Sequence, residues 1–382
     1  MRSETASPPP IPQWSMPRGV IVLLAIAALV VTVAGIKSFS GVVGPTFLAL
    51  MLTVAVHPLP GWLRRKGFPG WLALLTTLLA VWGILVALVV SLVYSVARLS
   101  TILPQYSDKF DDIVNDLQAT LKDHGIGSDQ IHKLLSNVDS SKVISIVSDI
   151  VGSALGVFSN LVFVLVLLLF MTVDAITYDK RMTILGNVRP DVVTAFQGFA
   201  SGTRTYLIVS TIFGLIVAVL DVGVLWAMGI PLPFLWGLLA FITNYIPNIG
   251  FVIGLVPPAL LALLDGGWAL MLWVIIIYSA INVIIQSIIQ PKFVGDAVGL
   301  SVTLTFLSLV FWAWVLGPLG AILAIPLTLM CKALLIDMDP ATRWADVLLS
   351  DAPPKDDPSP PDNSADKADG EAPPGDALAK PV

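Results

Sequence analysis

The sequence of 382 residues is 56% hydrophobic and only 12% charged, with a mean hydropathy of +0.87 and a formal net charge of −5. A soluble domain carries about 25% charged residues, so this composition excludes a water-soluble globule and makes the lipid bilayer the solvent of the chain. The acidic balance gives no basis for a nucleic-acid-binding surface, and a single cysteine, Cys331, excludes an intrachain disulfide.

Residues 1–19 are polar and rich in Pro and Ser, and read as a disordered cytoplasmic N-terminus. Apolar runs at 20–36 and 39–56 predict two membrane helices joined at Lys37 and Ser38, the second bent at Gly41, Gly44 and Pro45. No small-x-small site follows the first run, which argues against a cleaved signal peptide. The loop 57–69 carries Arg64, Arg65 and Lys66 and no acid, which places it in the cytoplasm. A third span, 70–96, then leaves the cytoplasm, and the N-terminal membrane part covers 20–97.

Residues 98–149 hold eight aspartates against five basic residues, with Phe110, Ile113, Leu117 and Leu121 at helical spacing. They predict an extracytoplasmic helical cap, in which His124 and His132 read as solvated rather than metal-bound. The segment 150–205 returns through the membrane and ends in a cytoplasmic interfacial helix with Lys180, Arg181, Arg189 and Arg204. Charge then nearly vanishes. Between Thr205 and Leu264 the only charged residue is Asp221, and 266–291 and 297–331 have none. Residues 206–337 therefore form the expected transport core, and the Pro/Asp/Ala-rich stretch 338–382 a disordered cytoplasmic tail.

The core contains a repeat. "FLWGLLAFITNYIPNIGFVIGLVPP" (234–258) and "FLSLVFWAWVLGPLGAILAIP" (306–326) each run from Phe-Leu to a Pro/Gly break about a dozen residues on, then to a further Pro. Spans 206–228 and 268–289 precede the two units. A helix over 234–246 extends only about 20 Å and cannot cross a core of about 30 Å. The segment 234–264 therefore reads as a re-entrant hairpin with its tip at Asn244–Gly250. If 299–336 is a second hairpin, the two enter from opposite faces and their tips are expected to meet near the midplane, as in inverted-repeat transporters.

The runs "IPNIGFVIGLVPPALLALL" and "QPKFVGDAVGLSVTLTFLSLVFWAWVLGPLGAILAIP", with "LFMTVDA" (169–175) and "TRTYL" (203–207), closely resemble the autoinducer-2 exporter family of bacterial membrane transporters. The resemblance covers roughly residues 20–337 and is strongest over 244–326. It implies a homo-oligomer with a re-entrant core that exports the furanone-derived signal autoinducer-2 or exchanges a cation for protons. One departure stands out. Many members carry Glu-x-Asn shortly before the proline matched by Pro291, whereas "NVIIQSIIQP" offers Gln286 and Gln290 and no acid.

Several residues are candidates for the solute or ion path. Asp221 lies about 10 Å from the end of its helix; a charge there faces a partner or a wet cavity, or snorkels to the interface. Asn244 and Asn248 flank Pro247 and either bind a small polar solute or cap the tip. Gly250 permits close backbone approach. Asn282, Gln286 and Gln290 recur every four residues, a polar stripe that lines a path or bonds helix to helix. The second tip, Gly317, Pro318 and Gly320, has only backbone groups to offer. Lys292 and Asp296 read as a solvated ion pair.

The sequence contains no Walker A loop, no Gly-x-Ser-x-Gly elbow and no histidine pair at metalloprotease spacing. Catalytic residues, metals and cofactors are therefore not expected. A membrane-embedded enzyme would need an acid–base pair that the spans do not offer, and a scaffold organised through 98–149 would transport nothing. The composite expectation is an all-α polytopic membrane protein with about five crossing helices and two or three helical hairpins. Its C-terminal half is a re-entrant inverted repeat. Such a protein, a homo-oligomer in the bacterial inner membrane with both termini cytoplasmic, acts as a secondary transporter or facilitator exporting a small polar solute. The alternative is a cation/proton antiporter; proton or sodium is the coupling ion in view, and no nucleic acid is a partner.

Overall fold

The computed structural model describes residues 17–123, 160–247, 249–290, 300–339, 342 and 349. Among these residues all regular structure is helical, and six helices are long and apolar enough to cross a membrane. Helices α1 (Arg18–Ser38) and α2 (Ser40–Val56) part at Phe39, one residue from the expected turn. Within the cationic loop, Pro58 opens a short helix α3 (Pro58–Arg65), a first-turn position where its missing N–H is not needed. α4 (Gly70–Ile102) continues past the expected end of the span. A 3-10 turn then leads into the amphipathic α5 (Ser107–Asp123). After α6 (Asn160–Gly186), a single helix of 38 residues, α7 (Pro190–Ala227), runs through both the expected interfacial segment and the following span. At about 1.5 Å per residue it is about 57 Å long, and it is the mast of the molecule.

Both hairpins pack on this mast. The first has arms α8 (Pro233–Thr243) and the start of α9 (Gly250–Asn282). α9 is not straight, because Gly267 adopts φ 76° and ψ −169°, a conformation open to glycine and costly for other residues. Gly254 and Tyr278 line the same chamber, although 24 residues of unbroken helix would hold them about 36 Å apart. The chain therefore doubles back at Gly267, and its second limb ends in a π-helical stretch, Val283–Ile289. The second hairpin comprises α10 (Val302–Leu316), a tip at Gly317 (φ 70°), and the broken arm α11 (Pro318–Ile322), α12 (Ala324–Lys332) and a π turn, Ala333–Asp337. A buried cluster of Ser308, Thr328 and Trp312 clasps its two arms, Trp312 Nε1 donating to Thr328 Oγ1 at 3.1 Å.

Two apolar clusters hold the bundle. One gathers Leu225, Ile230, Trp236, Ala262, Val274 and Tyr278 at the C-terminal end of α7 and the base of the first hairpin. The other gathers Ala195, Phe199, Leu207, Met51, Trp312, Leu323 and Ala333 toward the N-terminal end of α7. The two hairpins thus have their bases toward opposite ends of one helix.

The first tip reaches the middle of α7, where Asn244 Nδ2 donates to the Ser210 carbonyl. Tip residues Tyr245 and Ile246 pack against the cluster at the N-terminal end of α7. The second tip lies against the start of α2, where Leu319 touches Gly44. Arg204, two residues before Tyr206, donates to the Val54 carbonyl at 3.4 Å. Tyr245 and Ile246 of the first tip and Leu316 and Leu323 beside the second pack in one apolar cluster.

Charge sorts between the two sides of the bundle. Val54 and Arg204 lie on one side with His57 and Tyr178, whose rings pack at 5.6 Å. On the other side, Tyr106 donates to Asp265 Oδ1 at 3.0 Å and Lys109 Nζ to the Asp265 carbonyl at 3.4 Å, fastening α5 to the Gly267 turn. The remaining outer surface is apolar, with Leu23, Leu29, Val31, Trp226 and Phe234 exposed, as lipid rather than water requires.

Candidate functional site

A small chamber opens between the first hairpin and α7, lined by Val217 and Asp221 from α7 and by Ala240, Thr243 and Asn244 from α8 and the tip. Phe251 and Gly254 from one limb of α9 and Tyr278, Asn282 and Gln286 from the other complete it. Its centre admits only about one water molecule.

Helical spacing aims these groups inward. Tyr278, Asn282 and Gln286 follow one another at intervals of four, as do Val217 and Asp221, so each set shares a face. Glycines set how close the elements come. A β-carbon at Gly214 would lie 2.9 Å from Asn244 Nδ2, and one at Gly254 would lie 3.0 Å from Thr243 Oγ1. Asn244 therefore occupies a notch in α7 that only glycine leaves open.

The carboxamides form a chain. Asn244 Nδ2 donates to the Ser210 carbonyl at 2.8 Å, and Asn244 Oδ1 accepts from Gln286 Nε2 at 3.0 Å. Gln286 Nε2 also donates to Asn282 Oδ1 at 2.7 Å, and Asn282 Nδ2 to the Tyr278 carbonyl at 3.0 Å. Next to Asn244 the tip is pinned twice more: the Tyr206 hydroxyl donates to the Tyr245 carbonyl at 2.6 Å, and Thr211 shares a 2.6 Å bond with the Tyr245 hydroxyl. Against this saturated network two groups stand apart. Asp221 is 0% exposed with neither carboxylate oxygen hydrogen-bonded, and the buried Tyr278 hydroxyl also has no partner. Buried polar groups are almost always paired, so this pair of orphans in one chamber calls for a guest.

The chamber brings together Asp221, Asn244, Asn282 and Gln286. Gln290, one turn beyond Gln286, lies past the tip and does not line it. Gly250 also lies outside the chamber; its close approach is to the Thr243 carbonyl within the hairpin. Pro247 is in the first tip, and Gly317, Pro318 and Gly320 form the second; none of them lines the chamber. Asn248, Lys292, Asp296, His124 and His132 lie outside the described residues. Sequence reasoning missed Tyr278, although it stands four residues before Asn282 and extends the same stripe. It also missed Ser210 and Gly214, which share the Asp221 face of α7. Among the described residues no group of three His, Cys, Asp or Glu is placed to hold a metal ion.

The family model of the AI-2E family transporters matches residues 24–339. The chain belongs to this family. A protein of Haemophilus influenzae with a provisional transport name is 33% identical over 336 residues, 86% of this chain and 96% of its own. The AI-2 transport protein TqsA of Escherichia coli is 28% identical over 333 residues, covering 87% of this chain and 96% of that protein. YhhT of Escherichia coli, also provisionally named a transport protein, is 29% identical over 314 residues, 82% of this chain and 90% of its own. The chain is thus a multi-pass membrane protein of a transporter family, and its chamber gathers the buried Asp221, Thr243 and Asn282.

Proposed function

We propose that the chain is a secondary transporter or facilitator that exports a small polar solute of the autoinducer-2 type across the bacterial inner membrane. The observation that carries this reading is the tip residue Asn244, which joins α7 to the Asn282–Gln286 stripe inside an apolar bundle. Carboxamides offer both donors and acceptors to a hydroxylated solute, and helix breaks at such depth are tolerated where they face a cavity. The printed name of TqsA adds the solute class.

Orientation follows from charge. The side bearing Val54 and Arg204 also carries the loop with Arg64, Arg65 and Lys66, and the opposite side carries Asp265 and α5 with its aspartates. Cationic loops stay in the cytoplasm, which supports cytoplasmic termini and a first hairpin re-entering from outside. The apolar faces left bare in the single chain suit lipid and neighbouring copies in a homo-oligomer. A second reading, exchange of a cation for a proton, is favoured by the water-sized centre of the chamber and its unpartnered carboxyl.

Efflux from proteoliposomes loaded with autoinducer-2 or a panel of small polyols, under imposed proton or sodium gradients, tests both readings. Saturable solute efflux that is lost in Asn244→Ala while the variant stays folded is the expected result. Sodium-for-proton exchange with no solute flux favours the second reading, and no flux of either kind overturns both.

A further inference from the structure

We propose that Asp221 is the proton-carrying group of the transport cycle, binding a proton when the chamber is closed around it and releasing it when the chamber opens to water. The proposal rests on the transporter reading above and adds its coupling chemistry. Asp221 is fully buried, neither of its oxygens has a hydrogen-bond partner, and the facing hydroxyl of Tyr278 is equally unpartnered. An ionised carboxylate held this way costs several kcal/mol, and among the described residues no Lys, Arg or His lines the chamber to offset it. Of the groups that α8 and both limbs of α9 present there, Tyr278 alone is titratable. The carboxyl therefore takes a proton in the conformation described. The central space suits one water bridging Asp221 and Tyr278 and is too small for a hydrated cation.

The step balances simply. The carboxyl O–H bond breaks, the proton passes to water on the open side as hydronium, and the negative charge stays on Asp221. When the chamber next faces the other side, water there returns a proton and the bond re-forms. Asp221 is the single acid of the sequence between Thr205 and Leu264.

Infrared difference spectroscopy of the full-length protein in lipid, stepped in pH, reads the carboxyl directly and needs no solute. The wild type is expected to show the C=O band of a protonated carboxyl at neutral pH, absent from Asp221→Asn. In the flux assay, stimulation by an imposed pH gradient is expected to vanish in Asp221→Asn and to return in part in Asp221→Glu. An identical band in wild type and Asp221→Asn overturns the proposal, as does full gradient stimulation in Asp221→Asn. If Asp221→Asn does not fold, a displaced carboxyl band in Asp221→Glu supports the assignment, and an unchanged band overturns it. Should no solute move at all, the transporter reading falls while the infrared result still decides the proton site.

Discussion

Gly250 lies so close to the main-chain carbonyl of Thr243 that a β-carbon at position 250 would overlap the oxygen. The second hairpin repeats this relationship, with Gly320 against the carbonyl of Trp312. Eight or fewer residues separate the partners in each tip, so each break closes through one glycine seated on the end of the preceding arm. Neither glycine has a positive φ, and close approach rather than backbone freedom is the reason for the residue.

Gly250→Ala and Gly320→Ala are accordingly expected to destabilise the protein by about 1–3 kcal/mol each through overpacking. Gly83→Ala is the control, since a β-carbon there meets nothing within 4 Å. Thermal unfolding in detergent checks the order: both tip variants melt below the wild type, and Gly83→Ala melts with it. Equal melting of all four proteins contradicts the close approach.

Gln286→Leu removes the single donor nitrogen that serves both Asn244 and Asn282. Two buried carboxamide oxygens then lose a bond, at about 1–3 kcal/mol in total. Combined with Asn244→Ala, the loss is expected to be less than the sum, with a coupling of about 0.5–3 kcal/mol for groups in one network. A double-mutant cycle by denaturant titration measures it, and strict additivity would mean that the two amides do not share a bond.

The ideal β-carbon of Gly44 lies 3.7 Å from Leu319 Cβ, close to the mean of about 3.8 Å found in disulfides. Gly44→Cys with Leu319→Cys, in a Cys331→Ala background, is expected to form an intramolecular disulfide on mild oxidation. If the second hairpin moves relative to α2 during transport, the oxidised protein loses flux and reduction restores it. Efficient cross-linking without any change in flux would show that this tip is a fixed part of the scaffold.

Topology is checked with single cysteines, Ser107→Cys at the start of α5 and Ser359→Cys in the tail, again without Cys331. An impermeant thiol reagent added to intact cells is expected to label the first and spare the second. The reverse pattern inverts the protein in the membrane and with it the entry side of both hairpins.

Much of this architecture was legible from residue order. Spans of uncharged apolar residues, the cationic loop around Arg64, the breaks at Pro247 and Gly317, and Asp221 as the lone acid of its stretch all follow from composition and spacing. The site was legible only in part. Asn244, Asn282 and Gln286 stood out as amides in apolar surroundings, whereas Tyr278 passed for an ordinary aromatic. Nothing in the spacing showed that Gln290, on the same stripe, would fall beyond the tip.

The sequence by itself determined that the chain is helical, membrane-embedded and broken twice in its C-terminal half. Lipid offers no hydrogen bonds, so hydropathy dictates where helices run, and Pro and Gly dictate where they stop. Only the tertiary structure decided what the hairpin tips touch and which polar groups share a chamber. Those contacts depend on arm length, crossing angle and the glycine notches that let helices approach, such as Gly214 beneath Asn244. These are properties of pairs of helices distant in sequence, and local patterning does not encode them. The same reason explains Asp221. Its charge type and rough depth are written in the chain, but that both its oxygens lack partners beside the Tyr278 hydroxyl is a fact of packing alone.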